Sequence, residues 1–342
     1  MKKIVILSAF LSPLRSGAEA CAEEVPLALA DQYYFTIVTA RMRRDLPKKG
    51  LLQDKIPVIR VGFGCTFDKW LFPFLAPLAV RKIKPDVVHA ILETFAGLAL
   101  VFCKAPKKIL TCQTTNRSFL KGFIVRSAHQ VTCISRALAE TIQDLKCKSV
   151  LLISNGINAS ELADARLKYD RIPGSVLFVG RLESMKGIDT LLQAVAKIPG
   201  AHLRIAGDGS QKKLLLKITT ELGISDRVEF LGYIPSDALA VHYAQAEVFC
   251  GLSRSEALGN VFLEAQAAGC AVIGTSVGGI PDIIEHEKTG LIVPPDDVQA
   301  ATKAITRVME DADLRNRLQE TGAAHAQAFD WQVIAAEYAK LY

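Results

Sequence analysis

The sequence has no C-x-x-C pair, and its eight cysteines (21, 65, 103, 112, 133, 147, 250 and 270) follow no metal-ligand spacing. Most stand inside apolar runs, so they read as small core residues of a reducing compartment, not as a disulfide framework or a zinc site. The six histidines (89, 129, 202, 242, 286 and 325) are scattered. None forms H-E-x-x-H and no serine occupies a nucleophile elbow, which sets aside zinc peptidase and serine hydrolase chemistry. No apolar run reaches about 20 residues, so no spanning helix is expected. Low-complexity tracts are absent, as is any basic, aromatic-interleaved stretch of a nucleic-acid module; no nucleic-acid partner is expected. Met1-Lys2-Lys3 followed by Ile4 to Leu11 imitates a secretory signal. Pro13 and Arg15 interrupt it, and Ile4-Val5-Ile6 is strand-like, so a cytoplasmic location is expected.

What is present is enough chain for two cores: 342 residues, half of them hydrophobic. The net charge of +6 hides an asymmetry, because residues 1–165 carry 23 Lys and Arg against 13 Asp and Glu, whereas residues 166–342 carry 18 against 22. A basic first half suits an anionic partner. Strand signals alternate with helical stretches throughout, the pattern of βαβ units and a mainly parallel sheet, so the fold class is α/β. Expected strands include Lys3–Leu7, Phe35–Thr39, Lys108–Cys112, Val176–Val179 and Leu203–Ala206, with a basic loop at 41–49. Residues 68–84 are amphiphilic, with Trp70, Phe72 and Phe74 ahead of Arg81, Lys82 and Lys84. Such a segment suits either an anionic membrane surface or an ordinary helix with a solvated basic end. Residues 158–173 are polar and read as a linker, after which the alternation restarts.

The most informative stretch runs from Glu247 to Asp282. It reads as a buried strand, a loop with Ser253, Arg254 and Glu256, a helix from about Asn260 to Ala268, and a second strand at Ala271–Ile273. Asn260 is the expected helix cap, and Gly269 follows the helix end. A helix N-terminus is electropositive and offers free N–H donors, which suits a phosphate. Glu256 and Glu264 bracket it, and ionised carboxylates accept hydrogen bonds from sugar hydroxyls. Glu264 does not fit a capping box, which would need its acid at Leu263. Earlier, a strand ends in Gly180-Arg181-Leu182-Glu183-Ser184-Met185-Lys186-Gly187. There two cations and backbone N–H groups can meet a diphosphate, although the turn lacks the spacing of a P-loop. Gly207-Asp208-Gly209 ends another strand, and Gly232-Tyr233 forms a turn that can face a nucleobase. Gln113 begins a polar loop (113–116) at a strand's carboxyl end, where open α/β sheets bind ligands. Asp311-Ala312-Asp313 follows no strand and reads as a cap, not as a metal-binding pair.

Together these residues resemble the retaining GT-B glycosyltransferases of family 4. The match rests on Gly180-Arg181-Leu182 with Lys186-Gly187, Gly207-Asp208-Gly209, Glu256 with Glu264, Gly269 before Ala271-Val272-Ile273, Gly278-Gly279-Ile280-Pro281 and Gly290-Leu291. Gly17-Ala18-Glu19 and Pro85-Asp86-Val87-Val88-His89 match more loosely. The resemblance implies two Rossmann-like domains facing a cleft: 1–157 on the acceptor side, a linker at 158–173, a donor-nucleotide domain at 174–328, and a last helix (329–342) returning to the first domain. It implies a retaining transferase that takes a nucleoside-diphosphate sugar. The expected enzyme is a metal-independent hexosyltransferase without a cofactor, using a UDP- or GDP-sugar, and the basic, aromatic first half fits a glycan or lipid-linked acceptor and a peripheral place at the inner face of the cell membrane. Arg181 and Lys186 would contact the diphosphate, Glu256 the donor sugar and Glu264 the ribose. Leu258, Gly259 and Asn260 would supply N–H groups, with Gly180, Gly207 and Tyr233 lining the nucleotide and Gly17 and Gln113 contributing from the first domain. The chain departs from the family pattern at Gln113, where members often carry His, at Ala257, where Gly is usual, and at Asp282, where Glu is usual. A same-fold epimerase or phosphorylase, or a non-catalytic sugar-nucleotide binder, is the alternative.

Overall fold

Buried strands rich in β-branched residues alternate with helices in both halves of the chain. The structure, a computed structural model, describes residues 1–14, 17–115, 120–145 and 150–342. They divide into two units, Met1–Gly156 with Trp331–Tyr342, and Ile157–Asp330.

In the first unit the strands are β1 (Lys3–Leu7), β2 (Tyr34–Ala40), β3 (Lys49–Leu52), β4 (Ile56–Val61), β5 (Val87–Ile91), β6 (Lys107–Cys112), β7 (Gln130–Cys133) and β8 (Val150–Leu152). They lie in the order β3-β4-β2-β1-β5-β6-β7-β8, and only the β3–β4 pair is antiparallel. Central strands such as β5 are buried along their whole length, because helices cover both faces of a parallel sheet. The core gathers Ile4, Ile6, Phe35, Ile37 and Ile109 with Trp331, Ile334 and Tyr338 from the last helix, Trp331–Ala339, and with Tyr342 just beyond it. His89 is buried there, 2.8 Å from Tyr342 Oη through Nδ1 and 2.7 Å from Thr111 Oγ1 through Nε2. Burial holds its pKa down to about 3, so it is a neutral core group.

The second unit contains β9 (Ile172–Val179), β10 (His202–Ala206), β11 (Val228–Gly232), β12 (Ala246–Gly251), β13 (Ala271–Thr275) and β14 (Leu291–Val293). All pairs are parallel, in the order β11-β10-β9-β12-β13-β14. Counted from β9, this is the doubly wound order 3-2-1-4-5-6, which reverses direction between β9 and β12; ligands of such sheets bind beyond the carboxyl ends of the strands at that point. In the first unit the reversal falls between β1 and β5.

The structure departs from the sequence reading in three elements. Residues 158–173, read as a linker, instead fold as the helix Ala159–Lys168 and the start of β9. Leu162 and Ala165 supply a narrow buried stripe that the polar composition masked. The basic loop ends at Lys48, because β3 pairs with β4 from Lys49 onward. Asn260 is the first residue of its helix, not the cap; Gly259 holds the cap position with φ +96°, and no side chain bonds to the free N–H groups there. The Asp311 carboxylate does cap a helix, accepting from Leu314 N at 2.9 Å. Six of the seven described cysteines are buried and none is bridged, and burial pushes the Cys21 and Cys103 thiols up to about 12. Cys147 and Asn116 lie outside the described residues.

Candidate active site

Four of the residues singled out by chemistry lie at the carboxyl edge of the second sheet. Arg181 and Lys186 follow β9, Glu256 follows β12, and Glu264 stands in the second turn of the helix Asn260–Ala267 between β12 and β13. The first two loops therefore flank the switch point. Lys186 Nζ and Glu256 Oε2 form a direct ion pair, with side chains only 16% and 15% exposed. Ser253 Oγ donates to the same carboxylate oxygen at 3.4 Å.

The pair is held by backbone architecture on both sides. Lys186 belongs to a single 3-10 turn, Ser184–Lys186, closed by Gly187 at φ +63°. A Cβ on Gly187 would overlap the carbonyl oxygen of Leu252, so only glycine lets the two loops approach this closely. On the other side Gly278, at φ +54°, packs directly on the carbonyl oxygen of Glu256, where any Cβ would overlap it. Gly279 N then donates to that oxygen at 3.3 Å.

Arg254 clamps the arrangement. Its guanidinium donates to Asp296 Oδ1 at 2.6 Å, to Asp189 Oδ2 at 2.7 Å and to the Ser184 carbonyl oxygen, and its backbone N–H donates to Met185 O at 2.7 Å. Hydrogen bonding to Asp189 leads the effects that raise its pKa. This residue was read only as part of the loop; the signal missed was an arginine facing two carboxylates, Asp189 and Asp296, that the sequence places far away.

The other residues are placed with less contact between them. Arg181 is exposed, and among the described residues its guanidinium makes no hydrogen bond or ion pair. Glu183 nearby is held below the usual carboxylate range, first by the Ser210 hydroxyl, which donates at 2.7 Å, and in lesser part by Arg181. Gly180 and Gly207 bring the ends of β9 and β10 together, Gly180 N donating to Ala206 O at 3.0 Å. Tyr233 is 76% exposed just beyond β11. Glu264 is half-buried and accepts from the Tyr243 hydroxyl at 2.7 Å; burial raises its pKa, and the tyrosine opposes that. Leu258 and Gly259 are buried at the entry to the helix, whose N-terminus receives no side-chain cap.

The first unit carries its own polar cluster at the carboxyl ends of β5 and β6. Glu93 accepts from Gln113 N at 2.9 Å and from Thr114 N at 3.1 Å, and pairs with Lys121 Nζ at 2.9 Å, with side-chain exposures of 3% and 5% for the acid and the amine. Asn155 Nδ2 donates to Gln113 Oε1 at 3.1 Å, and Gln113 Nε2 is buried without a partner among the described residues. Leaving a buried donor unsatisfied costs about 1–3 kcal/mol. Sequence reasoning missed Glu93 and Lys121, which stand in apolar and glycine-rich contexts. Gly17 is exposed in the loop after β1.

A part-buried cation–carboxylate pair at a switch point, with a helix N-terminus that no side chain caps following the loop of Glu256, suits a ligand that is both anionic and rich in hydroxyls. Comparison with known proteins gives that class a family. The model described as Glycosyl transferases group 1 matches residues 166–325, and the one described as Glycosyltransferase Family 4 matches residues 15–161. Over 263 residues the chain is 33% identical to the lipopolysaccharide core biosynthesis glycosyltransferase LpsE of Rhizobium meliloti, covering 75% of each chain. Sucrose-phosphate synthase from Thermosynechococcus elongatus superposes with a TM-score of 0.88 at 24% identity, over 100% of this chain and 98% of that one. HepE of Anabaena, solved with UDP-glucose, superposes with a TM-score of 0.79 at 21% identity, over 100% and 99% of the two chains. The chain belongs to the group 1 glycosyltransferases and has their GT-B fold.

Proposed function

We propose that this glycosyltransferase moves a sugar, with retention at the anomeric carbon and without a metal, from a nucleoside-diphosphate sugar to a glycan or lipid-linked acceptor of cell-envelope or polysaccharide synthesis. The observation that carries the proposal is the Lys186–Glu256 pair at the switch point of the second sheet. HepE, whose crystals hold UDP-glucose, shares the fold, and LpsE, named for lipopolysaccharide core biosynthesis, is 33% identical over 263 residues; both support the reading.

In this mechanism Arg181 and Lys186 meet the diphosphate, together with the N–H groups at Leu258, Gly259 and Asn260. Glu256 accepts from donor-sugar hydroxyls and Glu264 from the ribose, its second oxygen remaining beside the one that Tyr243 occupies. Tyr233 lies against the base. The nucleotide departs through an oxocarbenium-like state on the face from which the acceptor attacks. Cations and N–H donors set in place beforehand stabilise the leaving charge, each worth on the order of 3 kcal/mol at the transition state. Within the first unit, Gln113 Nε2 is a buried donor suited to a sugar oxygen, and Gly17 leaves its loop open to substrate.

The test is a screen of UDP- and GDP-sugars for protection against thermal unfolding, in which a ligand at about 100 times its Kd adds roughly 2.7 kcal/mol. Transfer from the protecting donor follows, with the product anomer read by NMR. An inverted product would overturn the retaining mechanism, and protection by no nucleotide sugar would overturn the donor class.

A further inference from the structure

The helix Asp68–Ile83 of the first unit carries apolar side chains on two opposite faces. Phe72, Pro73, Ala76 and Val80 are buried against the sheet. On the other side Phe67, Trp70, Phe74 and Leu78 stand 60%, 57%, 60% and 58% exposed. Their spacing of three, four and four residues sets them in one stripe along the helix. Solvated helix faces are ordinarily polar, so a continuous exposed stripe of three aromatics and a leucine calls for an occupant.

The stripe extends sideways. Trp70 packs edge-on against Phe95, with ring centroids 5.0 Å apart, and Phe74 lies 5.7 Å from Phe102; both partners belong to the next helix, Phe95–Phe102. Phe102 is itself exposed, as is Phe123 on the following helix, Lys121–Ser127. The approach to the stripe is also fixed: Asp68 accepts from Gly64 N at 2.7 Å and from Cys65 N at 3.2 Å, which ties down the loop holding exposed Phe63.

Charge identifies the occupant. Residues 63–127 contain ten Lys and Arg against three Asp and Glu, and two of those acids, Asp68 and Glu93, are buried. The three helices each join parallel strands, so they run in one direction and their C-terminal ends collect at one edge of the layer. Exposed Arg81, Lys82 and Lys84 close the first helix, exposed Lys104 follows the second, and exposed Arg126 lies in the last turn of the third. Aromatic rings beside a row of cations match the acyl–headgroup boundary of an anionic bilayer, where Trp and Phe insert shallowly and Lys and Arg meet the phosphates.

We propose that this three-helix face docks on anionic phospholipid membranes, with Trp70, Phe74 and Leu78 inserted and Arg81, Lys82, Lys84 and Lys104 at the headgroups. The experiment is sedimentation of the full chain with vesicles of phosphatidylcholine alone or with a third phosphatidylglycerol, together with tryptophan fluorescence. Trp331 is buried, so a spectral change on binding reports Trp70. Expected are binding to the anionic vesicles, a blue shift, and weakening when salt rises from 0.05 to 0.5 M, values chosen for the test, as the Debye length falls severalfold from about 14 Å. Arg81→Ala and Lys82→Ala should each weaken binding about fivefold. Phe74→Ser with Leu78→Ser should weaken it at least about tenfold with an unchanged melting temperature, since both side chains are exposed. Absence of binding to anionic vesicles at low salt would overturn the proposal. So would binding indifferent to these substitutions, or a dimer that Trp70→Ser dissociates in a chain that ignores vesicles, for then the occupant is a second copy.

Discussion

Substituting the two members of the Lys186–Glu256 pair should move nucleotide affinity in opposite directions. In the free protein the amine already has a partner, so a diphosphate must share Lys186 with a carboxylate of its own sign. Glu256→Gln removes that repulsion while keeping the shape. Two charges about 5 Å apart interact by roughly 3 kcal/mol at an effective dielectric of 20. Partial exposure and salt reduce this to about 1 kcal/mol, or about fivefold in Kd. UDP or GDP should therefore bind Glu256→Gln as tightly as the parent or up to about fivefold more tightly, while sugar transfer falls by about 100-fold or more. Lys186→Met removes a charge-assisted contact worth about 1.5–3 kcal/mol, so nucleotide affinity should fall about 10- to 150-fold. Each single variant also strands a mostly buried charge, and the double variant should recover part of the lost stability without recovering transfer. Isothermal calorimetry with UDP and GDP and a nucleoside-diphosphate release assay read both quantities. Unchanged nucleotide binding in Lys186→Met would refute the reasoning, as would full transfer by Glu256→Gln.

Other substitutions probe the supports of the site and of the fold. Gly278→Ala should cost about 2–4 kcal/mol and most activity, because its Cβ meets the Glu256 carbonyl at a backbone angle that disfavours side chains; an unshifted melting curve would contradict this. Arg254→Lys, which cannot span Asp189, Asp296 and the Ser184 carbonyl together, should weaken nucleotide binding about tenfold with a smaller loss of stability. His89 is held near 3, below the roughly 6.5 of a free imidazole, so its contribution is present above pH 6.5 and is lost as pH falls from there toward 3. His89→Gln should flatten the acid limb of the stability curve in that window, as urea unfolding at several pH values would reveal. Asp311→Ala should cost about 1 kcal/mol through its lost cap and leave transfer intact; activity lost and then restored by a divalent cation would show the cap reading wrong.

Much of the second unit was legible because its chemistry is local in sequence. Glycines that let loops touch, a cation after β9 and an acid after β12 all sit at recognisable strand ends, and parallel strands buried on both faces announce themselves as apolar runs. The helix Ala159–Lys168 hid because its three buried residues, Ala159, Leu162 and Ala165, include a single large apolar side chain in a polar segment. β3 and β14 hid for a related reason: short strands draw their stability from a neighbour, not from their own composition. At the cap of the helix Asn260–Ala267, asparagine propensity lost to a neighbouring glycine that alone tolerates φ +96°. Arg254 and the buried Glu93–Lys121 pair could not be singled out as candidates because the partners of each are brought close only by the fold. The exposed stripe on the helix Asp68–Ile83 shows the same limit, since the sequence lists its aromatics without saying which of them face water.

The route of the chain has a consequence for its birth on the ribosome. The second unit is one uninterrupted segment, with its entry and exit side by side where Ile157 N donates to Phe329 O at 2.9 Å. The first unit is split, for Trp331, Ile334, Tyr338 and Tyr342 complete a core begun at Ile4. During synthesis the earlier-made portion must wait, its aromatic plug still unmade, while the later-made portion already has everything it needs to settle. The half that emerges first is the half that is finished last, and in the interval its unfilled interior is the surface most exposed to chaperones and to aggregation.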